Sequence, residues 1–498
     1  MRLSSRGPVR DHRVLELRPH RPDLMVNSDS KRCSSLAAWK NYLISGLLIG
    51  LVILWASNRR FKIVAGDARG QAVAAGSGTL NLGSGTASGG HDEELMRRRA
   101  IGAVLGALVA DAATMGLHWI YDMDRISGLV SEHGRSEEPA FFQPPSCPYY
   151  EYESGSLSPY GDELLPVLQY MTIGPGSHRD GTMDGPGFAK FLAEYYSNYT
   201  GRLNKSSRAM MEALLQGGHG WPECGDPRDT QANNFVKVIP LVARYAGRPG
   251  LVKAVDAAVR AQQNNDEAVM YGLVAALVLE RVVLGSRISE AVRWAAEGAP
   301  GSGVSLSRTA LEALQAVVRH AAAGTPLREL LYAPGSGTKA GSWGPSCANP
   351  GALQGALLAA MQASHGVSGA DGSGNSGGTS STSSSSSRSN SSSSEGGDDT
   401  VYSRGVRVNM LLGGDNCSRG VLLGALLAAE HGPASIPFSW RSQTRVYHSS
   451  EVLAEHLMEF RSPGAGAGTA GQGGARRHTS SHTPSSSHHR SHRAASAR

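Results

Sequence analysis

The chain has 498 residues, with 48 Lys and Arg against 42 Asp and Glu and a formal net charge of +6. Its 40% hydrophobic content excludes a wholly disordered chain, and its 62 glycines follow no collagen period. Five cysteines without a CxxC or CxxH pair exclude a disulfide-stapled scaffold and argue against a zinc module.

The positive charge is confined to the ends of the sequence. Residues 1–40 carry +5, residues 41–91 carry +3 and residues 462–498 carry +5, which leaves −7 for residues 92–461. A nucleic-acid-binding core needs its basic side chains on the folded surface. We therefore expect no nucleic-acid partner for the central part of the chain.

An uncharged stretch lies near the N-terminus. It follows a basic segment, 1–41, that we expect to be disordered, and covers residues 42–57 (YLISGLLIGLVILWAS). As a helix it would span about 24 Å, short of a hydrocarbon core of about 30 Å, although flanking Lys and Arg can snorkel. We interpret 42–57 as a single-pass membrane anchor, in a compartment that the sequence does not identify. The alternatives are a signal-sequence core or the leader of an organelle-targeted soluble protein.

Three low-complexity segments surround or interrupt the folded part. Residues 58–91 are rich in Gly, Ala and Ser, which predicts a flexible linker. Residues 366–397 are almost all Ser and Gly and predict a disordered insertion, because loop-closure entropy grows only logarithmically with length. The tail 462–498 is also predicted to be disordered. The folded domain is therefore expected at 92–461.

That domain is predicted to be all-α, a single large multi-helix unit. Apolar residues recur at i, i+3, i+4 spacing, Gly or Pro separates the segments, and no convincing alternating strand pattern occurs. The predicted helices are 97–113, 187–199, 206–216, 230–245, 251–263, 266–284, 288–296, 306–323, 352–363 and 418–431.

Acidic residues mark several predicted helix ends. Asp162 and Glu163 open a helical stretch, and Asp415 precedes another. Capping is the simple interpretation for Asp162 and Asp415, since the helix dipole favours carboxylates there. Asp111 closes the first core helix, where the dipole opposes a carboxylate, so it requires a cation, a water network or a buried partner.

Small residues predict that the first and last core helices pack closely. They recur at i, i+4, i+8 spacing: Gly102, Gly106 and Ala110 in one helix, and Gly420, Gly424 and Ala428 in the other. Antiparallel packing would bring Asp111 to Asp415. Converging carboxylates repel one another unless a divalent cation lies between them, which favours a hard-metal site.

Several motifs resemble a known family. They are AIGAVLGALVADAATMGLHW (100–119), GDELL (161–165), the segment from NMLLGGDNCSRG to EHG (409–432) and IPFSW (436–440). They resemble the ADP-ribosylglycohydrolase superfamily over residues 97–445, and variants such as GGDNCSRG and QQNNDEAV are closer to its J1-crystallin-like branch. The resemblance implies an all-helical fold with Mg²⁺ in a central cleft that cleaves the glycosidic bond at the ribose C1″ of ADP-ribose conjugates.

The resemblance also implies roles for individual residues. Asp162, Glu163, Asp415 and Ser418 would hold one or two Mg²⁺ ions. Glu163 or Asp111 would be the catalytic carboxylate that activates or positions water. His118, Asn264 and Asp266 would contact the substrate.

The family pattern is incomplete in this chain. Gly161 stands where a Thr is expected, and Cys417 stands where a carboxylate ligand is expected, which makes Cys417 a degenerate ligand. The acidic residue that usually follows the first helix falls on His118 or Trp119, which belong to an aromatic and polar cluster that could stack on a nucleobase or staple the loop to the core.

Two hypotheses follow. In the first, the domain is a Mg²⁺-assisted hydrolase acting on ADP-ribose or an ADP-ribosylated molecule. In the second, it is a catalytically inactive, J1-crystallin-like binding or structural protein with a degenerate metal site. Cys417 adds a thiol alternative: its position at a helix start beside Arg419 predicts a lowered thiol pKa, whereas a buried, inert Cys would show neither reactivity nor metal binding.

Overall fold

A computed structural model describes residues 87–175, 183–333, 343–365 and 398–461. All the regular secondary structure in these ranges is helical, and the helices form one large domain. This confirms the predicted all-α fold class. The predicted N-terminal segment, the anchor 42–57, most of the linker 58–91, the insertion 366–397 and the tail 462–498 lie outside the described residues. These assignments stay predictions.

Within the described ranges the chain forms seventeen α-helices. They are α1 (Ala87–Thr114), α2 (Met123–Glu132), α3 (Gly161–Thr172), α4 (Gly185–Ser197), α5 (Lys205–Leu215), α6 (Asn233–Val236), α7 (Ile239–Tyr245), α8 (Leu251–Arg260), α9 (Asp266–Val283), α10 (Ile288–Ala296), α11 (Arg308–Ala322), α12 (Leu327–Leu331), α13 (Gly351–Ser364), α14 (Val401–Leu411), α15 (Asn416–His431), α16 (Phe438–Gln443) and α17 (Tyr447–Glu459).

All ten predicted helices are present, with differences at their ends. The segment 230–245 is divided into α6 and α7, and α1 begins at Ala87, inside the expected linker. Helices α2, α12, α14, α16 and α17 were not predicted. Helix α14 directly follows the Ser/Gly insertion and starts at a capping box in which Thr400 and Ser403 bond reciprocally.

The antiparallel packing of α1 against α15 is confirmed, and it forms the centre of the domain. A Cβ added at Gly106 would lie 2.4 Å from the carbonyl oxygen of Gly424, and one added at Gly424 would lie 2.3 Å from that of Gly106. Towards the start of α1, a Cβ at Gly102 would lie 2.5 Å from the carbonyl oxygen of Ala428. Only glycine allows two backbones to approach this closely.

Helix α1 is almost wholly apolar and buried from Ala100 onward. Residues Asp92–Leu117 are long and apolar enough to cross a membrane, but 94% of the most apolar window is buried inside the domain. A helix that is hydrophobic all round and covered by other helices is a core helix of the fold. No other helix in the described part of the chain meets the same criteria.

The close approach predicts a strong effect of a small substitution. Gly106→Ala forces apart the α1 and α15 backbones, so we expect the free energy of unfolding to fall by about 1–3 kcal/mol in chemical denaturation. Gly128→Ala on α2 is the control, because its added Cβ meets nothing within 4 Å and should stabilise the helix by about 0.5–1 kcal/mol. Equal effects of the two substitutions would contradict the packing.

Candidate functional site

Asp415 precedes α15 and is fully buried, with side-chain donors around its carboxylate and the Tyr160 hydroxyl in contact with it. Its Oδ1 accepts hydrogen bonds from His118 Nε2 at 2.9 Å and from Trp119 Nε1 at 2.8 Å. Its Oδ2 accepts from Ser418 Oγ at 2.5 Å. Arg419, also fully buried, adds a positive charge nearby. These protein groups compensate the buried carboxylate.

The His118 imidazole links Asp415 to a tyrosine. Its Nδ1 lies 2.6 Å from Tyr150 Oη. Because the Nε2 proton is donated to Asp415, Nδ1 is the acceptor and the tyrosine hydroxyl is the donor. Burial lowers the pKa of His118, against the opposing effect of Asp415, and burial raises the pKa of Tyr150 well above its ordinary value. Both groups are thus held in their neutral forms.

Asp111, at the end of α1, is bound mainly by Ser158, with a further backbone hydrogen bond from Gly161. Its Oδ2 accepts from the Ser158 backbone N–H at 2.7 Å, and its Oδ1 accepts from Ser158 Oγ at 2.6 Å. The pKa of Asp111 is raised to about 7, mainly by burial. The Ser158 hydrogen bonds act in the opposite direction, and the charge of Asp162 adds to the rise. A Cβ at Gly161 would lie 2.3 Å from Asp111 Oδ2, so a glycine is required where α3 begins.

The two acids in the first turn of α3 have separate partners. Asp162 Oδ2 accepts from Tyr199 Oη at 2.5 Å, and burial raises its pKa to about 7. Glu163 Oε1 accepts from Asn233 Nδ2 at 2.9 Å, and its Oε2 lies 3.7 Å from Lys237 Nζ. Burial raises the pKa of Glu163, whereas Lys237 and Asn233 act in the opposite direction.

This arrangement does not fit the Mg²⁺ site that the resemblance implies. No group of three or more His, Cys, Asp or Glu side chains in the described ranges is placed to hold a metal ion. Asp111 and Asp415 accept hydrogen bonds from protein donors at both of their carboxylate oxygens, which Mg²⁺ would need, and Asp162 accepts one at Oδ2. Glu163 Oε2 has no hydrogen-bond partner and lies 3.7 Å from Nζ of the buried Lys237, whose pKa is lowered by burial.

Aromatic rings pack over the Asp415 network. The Trp119 indole stacks on His118 at 4.2 Å between ring centroids and meets Tyr149 and Tyr150 edge-on at 5.5 and 5.7 Å. The guanidinium of Arg202 lies 5.2 Å from the centroid of the Trp119 ring. Trp119 has a φ of 59°, a conformation that costs a non-glycine residue energy and is held by its surroundings. The sequence suggests two roles for this aromatic cluster, stacking on a nucleobase or fixing the loop to the core. These contacts correspond to the second role.

The predicted substrate residues Asn264 and Asp266 do not join this network. Asn264 Oδ1 accepts from Arg260 Nη1 at 3.1 Å, and Asp266 Oδ1 accepts from Nη2 of the same arginine. The neighbouring side chains have different partners. Gln263 Nε2 and Asn265 Nδ2 donate, at 3.1 and 2.8 Å, to carbonyl oxygens of the loop that precedes α6.

Cys417 is buried and lacks the lowered thiol pKa that its position predicts. Its Sγ lies 3.9 Å from the carbonyl oxygen of Asp111, with no exposed surface. Burial raises its pKa well above the ordinary value, and the charge of Asp111 acts in the same direction. Arg419 does not offset this, because its guanidinium is directed to Asn409 Oδ1 and the Gly413 carbonyl oxygen.

Several residues of the site were missed at the sequence level. Most of them carry no local signal, because each meets its partner only in the folded chain. Lys237 is the exception: a single charge within the apolar run NNFVKVIPLV indicates a buried partner. The missed residues are Tyr150, Ser158, Tyr199 and Lys237.

The raised pKa values predict a pH dependence of stability. Asp111 and Asp162 have pKa values of about 7 in the folded domain, above about 4 in the unfolded chain. Their stabilising contribution is therefore complete below about pH 4 and lost as the pH rises through 7. In Asp162→Asn we expect a smaller fall in melting temperature between pH 5 and pH 8 than in the wild type. Exposed Asp124 provides the control, Asp124→Asn, and a fall of wild-type size in Asp162→Asn would contradict the assignment.

Comparison with known proteins agrees with the motifs. The family model described as ADP-ribosylglycohydrolase matches residues 92–465. Crystallin J1A of Tripedalia cystophora is 26% identical over 376 residues, covering 73% of this chain and 97% of its own length. Crystallin J1B of the same organism is 28% identical over 211 residues, 40% of this chain and 62% of its own length.

A solved structure titled "ADP-ribosylglycohydrolase-related protein complex" aligns with 74% of this chain and 99% of its own, at 18% identity and a TM-score of 0.48. The predicted resemblance to the J1-crystallin-like branch is confirmed by the two crystallins. Because the family model covers most of the sequence and nearly all of the described residues, the chain belongs to the ADP-ribosylglycohydrolase family.

Proposed function

We propose that this chain is a metal-independent, non-hydrolysing member of its family, with a binding or structural role like that of a J1-crystallin-like protein. The observation that carries the proposal is the state of Asp415. Its carboxylate is fully buried and accepts hydrogen bonds from His118, Trp119 and Ser418, so it presents no free face to an ion or a ribose.

The burial of the candidate catalytic carboxylates supports the same function. Asp111 has no exposed surface and Glu163 is 4% exposed. A general base must come within about 2.6–3.2 Å of the water or proton that it activates. Asp111 is also bound at both oxygens by Ser158. Neither carboxylate is open to substrate in this conformation.

The family's hydrolase activity is the second candidate, and one observation favours it. Asp111 and Asp162 have pKa values of about 7, which suits acid–base chemistry near neutral pH. In that function Asp111 or Glu163 would act on water during cleavage at the ribose C1″ of an ADP-ribosylated molecule. His118 would then have to leave Asp415 for the site to open.

Turnover assays separate the two candidates. Purified full-length chain is incubated with arginine-linked and serine-linked ADP-ribosyl peptides, in Mg²⁺ or in EDTA, and free ADP-ribose is measured by mass spectrometry. We expect no release above the buffer blank in either condition. Mg²⁺-dependent release that is abolished in Glu163→Gln would establish the hydrolase instead.

Ligand binding is measured on the same samples. A ligand that binds only the native state raises the melting temperature by mass action. A rise with ADP-ribose but no turnover would assign a binding role, whereas no rise with ADP-ribose would assign a structural one. In both cases we expect Mg²⁺ alone to leave the melting temperature unchanged.

A further inference from the structure

Two adjacent donors converge on Asp415 from the loop that follows α1. We infer that His118 and Trp119 take the place of a cation at Asp415, and that this pair keeps divalent metal ions out of the site. The inference deepens the proposed function, on which it rests, because it names the groups that make the domain independent of metal.

The first step is the cost of burying Asp415. An ionised carboxylate without exposed surface must be compensated by hydrogen bonds, by an opposite charge or by a metal ion. Two donors point at Oδ1 and one points at Oδ2. The buried guanidinium of Arg419 supplies the charge from a short distance without binding the carboxylate, since its hydrogen bonds go to Asn409 and Gly413.

The second step is that both donors are held in position by the backbone. The Trp119 backbone N–H donates to the Gly414 carbonyl oxygen at 2.8 Å, and the Gly414 N–H donates to the Ile120 carbonyl oxygen at 2.7 Å. These two bonds clamp the donor loop to the turn immediately before Asp415. Gly414 has a φ of 60°, and a Cβ there would lie 2.4 Å from the Pro345 carbonyl oxygen, so the turn needs glycine.

The third step is that the His118 ring is also fixed. Tyr150 Oη lies 2.6 Å from its Nδ1, and the Trp119 indole stacks on it at 4.2 Å. A cation bound at Asp415 Oδ1 would meet two N–H groups that point at the same oxygen, each with its positive end forward. Binding would require breaking the clamp or turning both rings away, so the carboxylate is closed to a hard metal ion.

The experiment removes the donors and measures ion binding directly. Full-length wild type, His118→Ala/Trp119→Phe and Cys417→Asp are titrated with Mn²⁺, and free Mn²⁺ is followed by its electron paramagnetic resonance signal. We expect no saturable binding in the wild type. The double variant should show saturable Mn²⁺ binding, with a Kd at least about tenfold below the highest Mn²⁺ concentration at which the wild type shows none, a difference of at least about 1.4 kcal/mol.

Cys417→Asp alone is the discriminating variant. It adds a carboxylate beside Asp111 and Asp415 but leaves both donors on Asp415, so we expect no gain in Mn²⁺ binding. Combining it with His118→Ala/Trp119→Phe should bind more tightly than the double variant. If Cys417→Asp alone binds as tightly as the triple variant, the missing carboxylate excludes the ion and the inference is wrong.

Further variants distinguish the loss of the two donors from a general loss of stability. Tyr402→Phe removes a buried donor to the Gly106 carbonyl oxygen, outside the acidic network, and should gain no Mn²⁺ binding. If the double variant does not fold, Trp119→Phe alone replaces it, because this change removes one donor and retains an aromatic ring. We expect a smaller gain in Mn²⁺ affinity from it. Saturable Mn²⁺ binding by the wild type, or no gain in a folded donor variant, would overturn the inference. ADP-ribose release in EDTA would instead overturn only the non-hydrolysing proposal.

Discussion

A carboxylate buried in the middle of a helical domain must be compensated from inside the protein or by an ion, and in this chain the compensation of Asp415 is internal. The close packing of α1 on α15 creates the problem, because it brings the end of one helix, with Asp111, to the start of the other, with Asp415. The same packing also provides the compensating donors, since the loop that leaves α1 places His118 and Trp119 within hydrogen-bond distance of Asp415.

The other buried acids follow the same principle with different partners. Asp111 is bound by Ser158, Asp162 by Tyr199, and Glu163 by Asn233 with Lys237 beside it. Each carboxylate has its own donor, so electrostatic repulsion is relieved locally and not at a shared centre. Each of these acids in the described part of the domain is thus paired with its own protein partner.

Two departures from the family pattern change the chemistry of the site in the same way. Where the resemblance leads us to expect acids, the chain has donors or neutral groups: His118 or Trp119 after α1, and Cys417 in the first turn of α15. Each change removes an acceptor that could bind an ion or adds a donor that compensates Asp415. Burial raises the pKa of the Cys417 thiol, which stands where the resemblance leads us to expect a carboxylate.

The sequence by itself determined the helical class, the ten principal helices and the antiparallel pairing of α1 with α15. These features depend on local periodicity and on small residues at regular spacing, which can be read along one segment. Only the tertiary structure decided how the carboxylates are compensated. The donor to Asp162 lies 37 residues away in sequence, the serine that binds Asp111 lies 47 residues away, and His118 lies 297 residues from Asp415. A side-chain hydrogen bond depends on distances and angles between distant segments, and no spacing within one segment encodes them.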